Sequence, residues 1–266
     1  MRHGIASSVH RVDALSAAGD TRSVVLKLCV RDDPTEPDQA GREADVLALV
    51  AGGPVPAPIA LALDRDGSEC GVPALLMTRL EGGAVLRPSG LRPWLRGLAE
   101  MAARIHSLPV SRHALPTYST YALSGAPEPP RSATDRQAWA AAIERIEAPP
   151  PPEPACFIHR DFHPGNVLWT GSRVSGVVDW LQGCWGPPAA DLGHCRWNLW
   201  YLHGPEAADA FLEEYRRLVP GIPTYERYWD LAAALGGQSL QYRSGDPRSI
   251  AVADAIVEAW VRGHFP

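Results

Sequence analysis

Lysine is nearly missing from this chain. Of 25 basic residues one, Lys27, is lysine and the rest are arginine. The single ammonium is kept inside the apolar stretch SVVLKLCV, where a compact point charge and a planar fork suit different partners. Long apolar runs are missing too. No segment approaches the roughly 20 residues that a membrane helix needs, and the opening MRHGIASSVHRVD has no apolar core of the secretory kind, so a cytoplasmic protein without a membrane partner is expected. The five cysteines, at 29, 70, 156, 184 and 195, are odd in number and lack CxxC spacing, which favours reduced thiols over a disulfide framework or a zinc site. Excess positive charge is also missing. A net charge of −5 speaks against nucleic acid as the main partner, because phosphate recognition leaves a basic footprint.

What is present is an ordinary globular composition. The 266 residues are 45 % hydrophobic and 21 % charged, enough for one large domain or two lobes. The first eighty residues read as strands with one helix: VHRVDAL and SVVLKLCV, a helix from about Asp38 to Val50, then IALALD and PALLMTRL with RDGSEC turning between them. After LEGG the period changes. Leu91, Trp94, Leu95, Leu98, Met101, Ala102 and Ile105 recur at helical spacing, and a further helix is expected from Thr134, a residue able to cap it. The proline run EAPPPPEPA breaks regular structure and reads as an exposed loop. FIHRD, NVLW and GVVDW follow as short strand-like pieces. Beyond them AADLGHCRWNLWYL, PEAADAFLEEYRRLV, YERYWDLAAAL and SIAVADAIVEAWV read as helices. The expected fold class is therefore α+β, with a small antiparallel sheet and one helix in residues 1–80 and a larger, mainly helical part in residues 81–266.

Polar residues between apolar strand pieces are costly unless something uses them. The segment FIHRDFHPGNVLWTGSRVSGVVDWLQG sets His159, Asp161, His163, Asn166 and Asp179 in such places. One reading is a solvated hairpin. A second takes His159, Asp161 and His163 as ligands of zinc or iron in a metal-dependent hydrolase, since imidazole and carboxylate suit those ions and alternate strand residues face one way. That reading leaves the Pro-Gly turn and the second acid unexplained. The third is phosphoryl transfer, which needs a carboxylate to accept or orient the nucleophile's proton, and an amide and a second carboxylate to hold Mg²⁺ on nucleotide phosphates. Asp161, Asn166 and Asp179 have the spacing of the protein-kinase catalytic loop and its metal-binding aspartate. The same template asks for a lysine on an early strand and a glutamate on the following helix, where Lys27 and Glu43 stand.

HRDFHPGNVLW followed by GVVDW resembles the aminoglycoside phosphotransferase family, small-molecule kinases that also include choline, macrolide and fructosamine kinases. The resemblance extends over nearly the whole chain. It implies a bilobal protein-kinase-like fold, with residues 1–80 as the nucleotide-binding lobe and 81–266 carrying the catalytic loop and the substrate site. It implies Asp161 as catalytic base, Asn166 and Asp179 as Mg²⁺ ligands, and Lys27, oriented by Glu43, on the α and β phosphates of ATP or GTP. LLMTRLEGG resembles the interlobe hinge, where the Thr78 carbonyl and the Leu80 N–H would pair with adenine. His159, His163 and Asp191 are expected to support the site, Asp191 by bracing the catalytic loop.

Two departures from the family pattern stand out. Its first strand has no counterpart ahead of VHRVD, so either the true start lies upstream or the small sheet lacks an edge strand, and Gly4, Ser7 and Ser8 are expected either at the tail of a phosphate-covering loop or in a frayed terminus. Arg160 stands where many members carry glycine. The expected partner is a hydroxylated small molecule, an aminoglycoside-like antibiotic or a metabolite, whose identity the sequence does not disclose. Trp169, Trp180, Trp185, Trp197 and Trp200 read as core more than as pocket, and nothing in the sequence speaks to oligomeric state. A nucleotide-binding or sensing protein of the same fold without catalysis stands as the alternative, beside the hydrolase.

Overall fold

The stretch TRSVVLKLC is rich in residues that favour strands, and it forms the inner strand β2 (Thr21–Cys29) of the first sheet. The computed structural model describes residues 7–15, 19, 21–29, 38–119, 129, 133–221, 224–235 and 247–264. Gly4 lies outside them. The chain divides into two units, one of Met1–Val85, Leu108–Val110 and Gly165–Gly183, the other of Leu86–Ser107, Ser111–Pro164 and Cys184–Pro266. A single cut after residue 80 does not describe this division, because the strand Val167–Thr170 of segment 165–183 pairs with Gly83–Ala84 of the first unit. Among the described residues no helix is long and apolar enough to cross a membrane.

In the first unit β1 (Ser7–Leu15), β2, β3 (Ala60–Asp64) and β4 (Ala74–Thr78) form an antiparallel sheet of order β1-β2-β4-β3. Lys27 stands opposite Val9 on β1 and Leu75 on β4. Ser7 and Ser8 open β1, opposite Cys29 and Leu28, so the expected loop tail is strand instead: pairing with β2 runs to the start of β1. Ser8 Oγ lies 2.7 Å from His10 Nε2. Helix α1 (Gln39–Val50) is capped by Asp38, whose side chain accepts the Gly41 N–H at 3.1 Å. Its buried stripe includes Ala40, Glu43, Val46, Leu47 and Val50, a helical spacing that sets one acid on an otherwise apolar face.

A three-stranded sheet of order β5-β7-β8 completes the unit, from β5 (Gly83–Ala84), β7 (Val167–Thr170) and β8 (Arg173–Val177). Gly176 is required by close approach, since a Cβ there would stand 2.3 Å from Leu80 Cδ1 and 3.0 Å from the Pro56 carbonyl oxygen. After β8, the short turn of 3-10 helix Trp180–Gln182 packs on α1 with the Trp180 ring fully buried.

The second unit is built from α2 (Leu91–His106), α3 (Arg136–Glu147), α4 (Pro188–His203), α5 (Pro205–Leu218), α6 (Tyr228–Leu235) and α7 (Pro247–His264). A two-stranded ribbon pairs β6 (Cys156–Ile158) with β9 (Cys184–Gly186). The cap of α3 is Asp135, not Thr134: its carboxylate accepts the N–H groups of Gln137 and Ala138 at 2.9 and 3.0 Å, while the Thr134 hydroxyl donates to Glu258. Helix α4 is buried on nearly every side, which is why its apolar residues show no single stripe. Gly193 lets α4 approach α6, where a Cβ would meet the Trp229 carbonyl oxygen at 2.4 Å. Trp139, Trp197, Tyr228, Trp229 and Trp260 form much of the core of this unit. The proline run is largely exposed but is no free spacer, because Pro151 is buried and Glu153 accepts the Trp229 indole N–H at 2.6 Å.

Candidate active site

A lysine buried in a sheet needs counter-charges, and Lys27 has two. Its ammonium donates to Glu43 Oε2 at 2.6 Å and to Asp179 Oδ1 at 2.7 Å. Glu43 is buried as well, and its second oxygen accepts the Trp180 backbone N–H at 3.2 Å, so one carboxylate ties β2, α1 and the turn after β8 together. Asp179 is the open member of the trio, with 45 % of its side chain exposed against 8 % for Lys27 and 4 % for Glu43. Burial opposes the lysine's charge, but Glu43 and Asp179 outweigh it and hold the Lys27 pKa above its ordinary value. Burial also pushes the Glu43 carboxyl up, against the pull of Lys27. Asp179 adopts φ 67°, a left-handed conformation that aspartate tolerates better than most residues.

Asn166 belongs to the same unit. It is 8 % exposed, and its carbonyl accepts the Val178 N–H at 2.9 Å, which anchors the residue before Asp179 to the end of the HRDFHPGN loop. At the end of β4, the Thr78 N–H donates to the Ile59 carbonyl at 2.9 Å and its hydroxyl accepts the Ile59 N–H at 2.8 Å. Leu80, two residues on, lies over Gly176.

The second unit holds the other sequence candidates. Asp191, fully buried on α4, accepts the His159 N–H at 2.9 Å through Oδ2 and the Arg160 N–H at 2.6 Å through Oδ1. His106 Nε2 stands 3.1 Å from Asp191 Oδ2, and its Nδ1 is 2.7 Å from the Tyr215 hydroxyl. Arg160 takes φ 66°, the left-handed region that explains why glycine suits this position. Its guanidinium donates to the Ser119 carbonyl at 2.8 Å and lies over the Tyr118 ring.

Asp161 is a quarter exposed and surrounded by imidazoles. Its Oδ1 lies 3.1 Å from His194 Nε2 and its Oδ2 3.9 Å from His163 Nε2. Burial opposes the carboxylate's charge, yet His194, His163 and His159 outweigh it and hold the carboxyl well below the usual range. The three-ligand set read from the sequence is not the one the fold assembles. Asp161, His163 and His194 bring ligand atoms within 4.8 Å of one another, whereas the buried His159 ring packs edge-on against Phe162. Sequence reasoning missed His194. The signal was its place three residues after Asp191, on the same face of α4.

Residues 12–231 match the model of the phosphotransferase enzyme family. Over 143 residues the chain is 33 % identical to a homoserine kinase of Methylobacterium nodulans, a stretch covering 50 % of this chain and 44 % of that kinase. It is 30 % identical over 101 residues to the N-acetylmuramate/N-acetylglucosamine kinase of Neisseria meningitidis serogroup B, covering 38 % of this chain and 26 % of the other. The chain thus matches about half, or less, of the length of these curated relatives. Among solved structures, a thermostable mutant of aminoglycoside phosphotransferase APH(4)-Ia in complex with AMP-PNP and hygromycin B aligns with a TM-score of 0.71 at 20 % identity, covering 100 % of this chain and 93 % of that one. The fold they share is the α+β, protein-kinase-like one.

Proposed function

Because the chain belongs to the phosphotransferase enzyme family, we propose that it is a cytoplasmic small-molecule kinase that moves the terminal phosphoryl group of ATP or GTP to an alcohol. The observation that carries this reading is Lys27, an ammonium held between the buried Glu43 and the open Asp179. Such an arrangement presents a fixed positive charge beside a carboxylate that solvent can reach. It is what a polyphosphate and its cation require of a protein.

In this reading Lys27, oriented by Glu43, contacts the α and β phosphates. The Thr78 carbonyl and the Leu80 N–H pair with the base, and Gly176 keeps the space in which Leu80 lies. The donor set suits Mg²⁺, a hard cation that prefers oxygen: Asp179 is the one acid of the trio substantially open to solvent, and Asn166 adds an amide oxygen. Held by these two residues, Mg²⁺ would offset the charge that builds on the phosphates. Asp161 accepts the proton of the attacking hydroxyl. Its depressed pKa suits a loose transition state, in which the proton leaves late and orientation matters more than basicity. Asp191 keeps the loop in shape through the N–H groups of His159 and Arg160.

The acceptor is a small polar molecule with a free alcohol. The names of the relatives, homoserine kinase and N-acetylmuramate/N-acetylglucosamine kinase, and the hygromycin B complex define the range to search. The test is a screen of hydroxylated amino acids, amino sugars and aminoglycosides for nucleotide-dependent phosphate transfer, with Asp161→Asn as control. Transfer in the wild type, reduced about 10²- to 10⁴-fold in Asp161→Asn while nucleotide binding persists, is the expected result. Tight Mg²⁺-nucleotide binding without transfer to any acceptor would favour the sensing protein instead.

A further inference from the structure

Asp161, His163 and His194 carry more than the base of the proposed reaction. We infer that they form a binding site for a zinc-class transition-metal cation, separate from the Mg²⁺ ligands Asn166 and Asp179, and that its occupancy switches phosphoryl transfer off. The second half of this inference rests on the kinase reading; the first does not.

Three features carry it. The first is donor chemistry, since two imidazoles and one carboxylate suit zinc and its neighbours, while Mg²⁺ prefers an all-oxygen shell. The second is spacing. Ligands 2.0 to 2.1 Å from a tetrahedral ion stand about 3.4 Å from one another, and here Asp161 Oδ1 is 3.1 Å from His194 Nε2 and Asp161 Oδ2 is 3.9 Å from His163 Nε2. All the ligand atoms fall within 4.8 Å of one another, so closure on an ion shortens the widest separation by no more than about 1.4 Å. The third is the state of His194. Its side chain is 5 % exposed and its Nε2 stands 3.1 Å from Asp161 Oδ1, so a nitrogen donor is already buried beside the carboxylate and need not be drawn out of solvent to meet an ion.

Access and rigidity suit a reversible site. Asp161 and His163 are each about a quarter exposed and form the open side, with His194 as the floor. The floor is firm, because α4 is buried nearly all round and its Asp191, one turn earlier, pins the backbone of the same loop at His159 and Arg160. A cation bound here takes the carboxylate that would accept the hydroxyl proton. Binding and phosphoryl transfer are therefore mutually exclusive.

The experiment measures zinc affinity of the purified protein against a chromophoric chelator, and transfer at saturating Mg²⁺ with and without added zinc. Wild type is expected to bind one zinc ion at micromolar concentration or below. His194→Gln and His163→Gln, which keep polarity and approximate size, should bind at least about 10- to 100-fold more weakly. Cys70→Ser, which removes the exposed thiol, should bind as wild type does. Zinc should inhibit transfer reversibly, and the His194→Gln enzyme should lose that sensitivity relative to its own zinc-free rate. A wild type that takes up no zinc in the micromolar range, or glutamine variants that bind it equally well, would overturn the site. Stoichiometric binding with transfer unimpaired would overturn the switch. Zinc binding needs no acceptor substrate, so a protein that binds zinc but never transfers phosphate would refute the kinase reading and leave the site standing.

Discussion

Lys27 Nζ stands 2.6 Å from Glu43 Oε2 and 2.7 Å from Asp179 Oδ1, one ammonium shared by a buried carboxylate and an open one. The pairing joins residues 152 positions apart and makes the metal-binding candidate and the phosphate-binding candidate a single electrostatic unit. Its energetics follow from burial: removing one partner leaves the others in a poorly solvated site.

The lysine itself is the sharpest test. Lys27→Arg keeps the charge, but the wider guanidinium favours a bidentate grip on one carboxylate and cannot occupy the same point between two. Transfer is expected to fall on the order of 10²- to 10³-fold, the scale of losing one electrostatic donor at a reacting centre. The melting temperature should move little. A Lys27→Arg enzyme of near wild-type turnover would remove Lys27 from the phosphate site, and an unfolded variant would make its role structural.

Asp179→Asn probes the other end of the pair. Asparagine tolerates the left-handed backbone at this position, so the substitution removes charge without adding strain. Nucleotide affinity measured calorimetrically should become weaker and nearly independent of Mg²⁺. Retention of the wild-type Mg²⁺ dependence would exclude Asp179 as a metal ligand.

Arg160 separates backbone strain from side-chain anchoring. Arg160→Ala keeps a non-glycine residue at φ 66° and loses the Ser119 contact, for an expected cost of about 1–2 kcal/mol. Arg160→Gly loses the same contact but releases left-handed strain worth about 1–2 kcal/mol. Thermal melts should therefore place the glycine variant close to wild type and the alanine variant about 2–6 °C lower. Equal melting of the two variants would mean that the backbone carries no strain there.

Thiol chemistry has no part in the proposed mechanism, and labelling can check that. Burial, aided by Asp191 and Cys184, pushes the Cys156 thiol up to about 12. A raised pKa keeps the neutral form, so at pH 8 only about one thiol in 10⁴ is thiolate at that position, and alkylation should be correspondingly slow. Mass mapping after brief iodoacetamide treatment should find Cys70, the exposed cysteine, modified first, with Cys29, Cys184 and Cys195 protected until unfolding. Rapid labelling of Cys156 in the native protein would contradict its raised pKa.

The sequence by itself determined the fold class and named most of the candidate residues of the site. The strand-rich first eighty residues, the helical remainder and the spacing of Asp161, Asn166 and Asp179 are local patterns, set by propensity and by chemistry within one short segment. Lys27 was legible because it is a lone lysine in an apolar strand, and Glu43 because the phosphoryl-transfer template asks for a glutamate on the helix after that strand. Tertiary structure decided what local pattern cannot encode. Pairing of β5 with β7 assigned segment 165–183 to the first unit, and pairing with β2 made Ser7 and Ser8 strand where a loop was expected. His194 shows the same limit: as a residue of α4 it reads as one more buried position, and only the packing of that helix beneath the HRDFHPGN segment brings its imidazole to Asp161. Spacing along a chain records which groups are neighbours within an element; which groups meet across elements is fixed by burial and backbone pairing over long sequence separations, where no period survives.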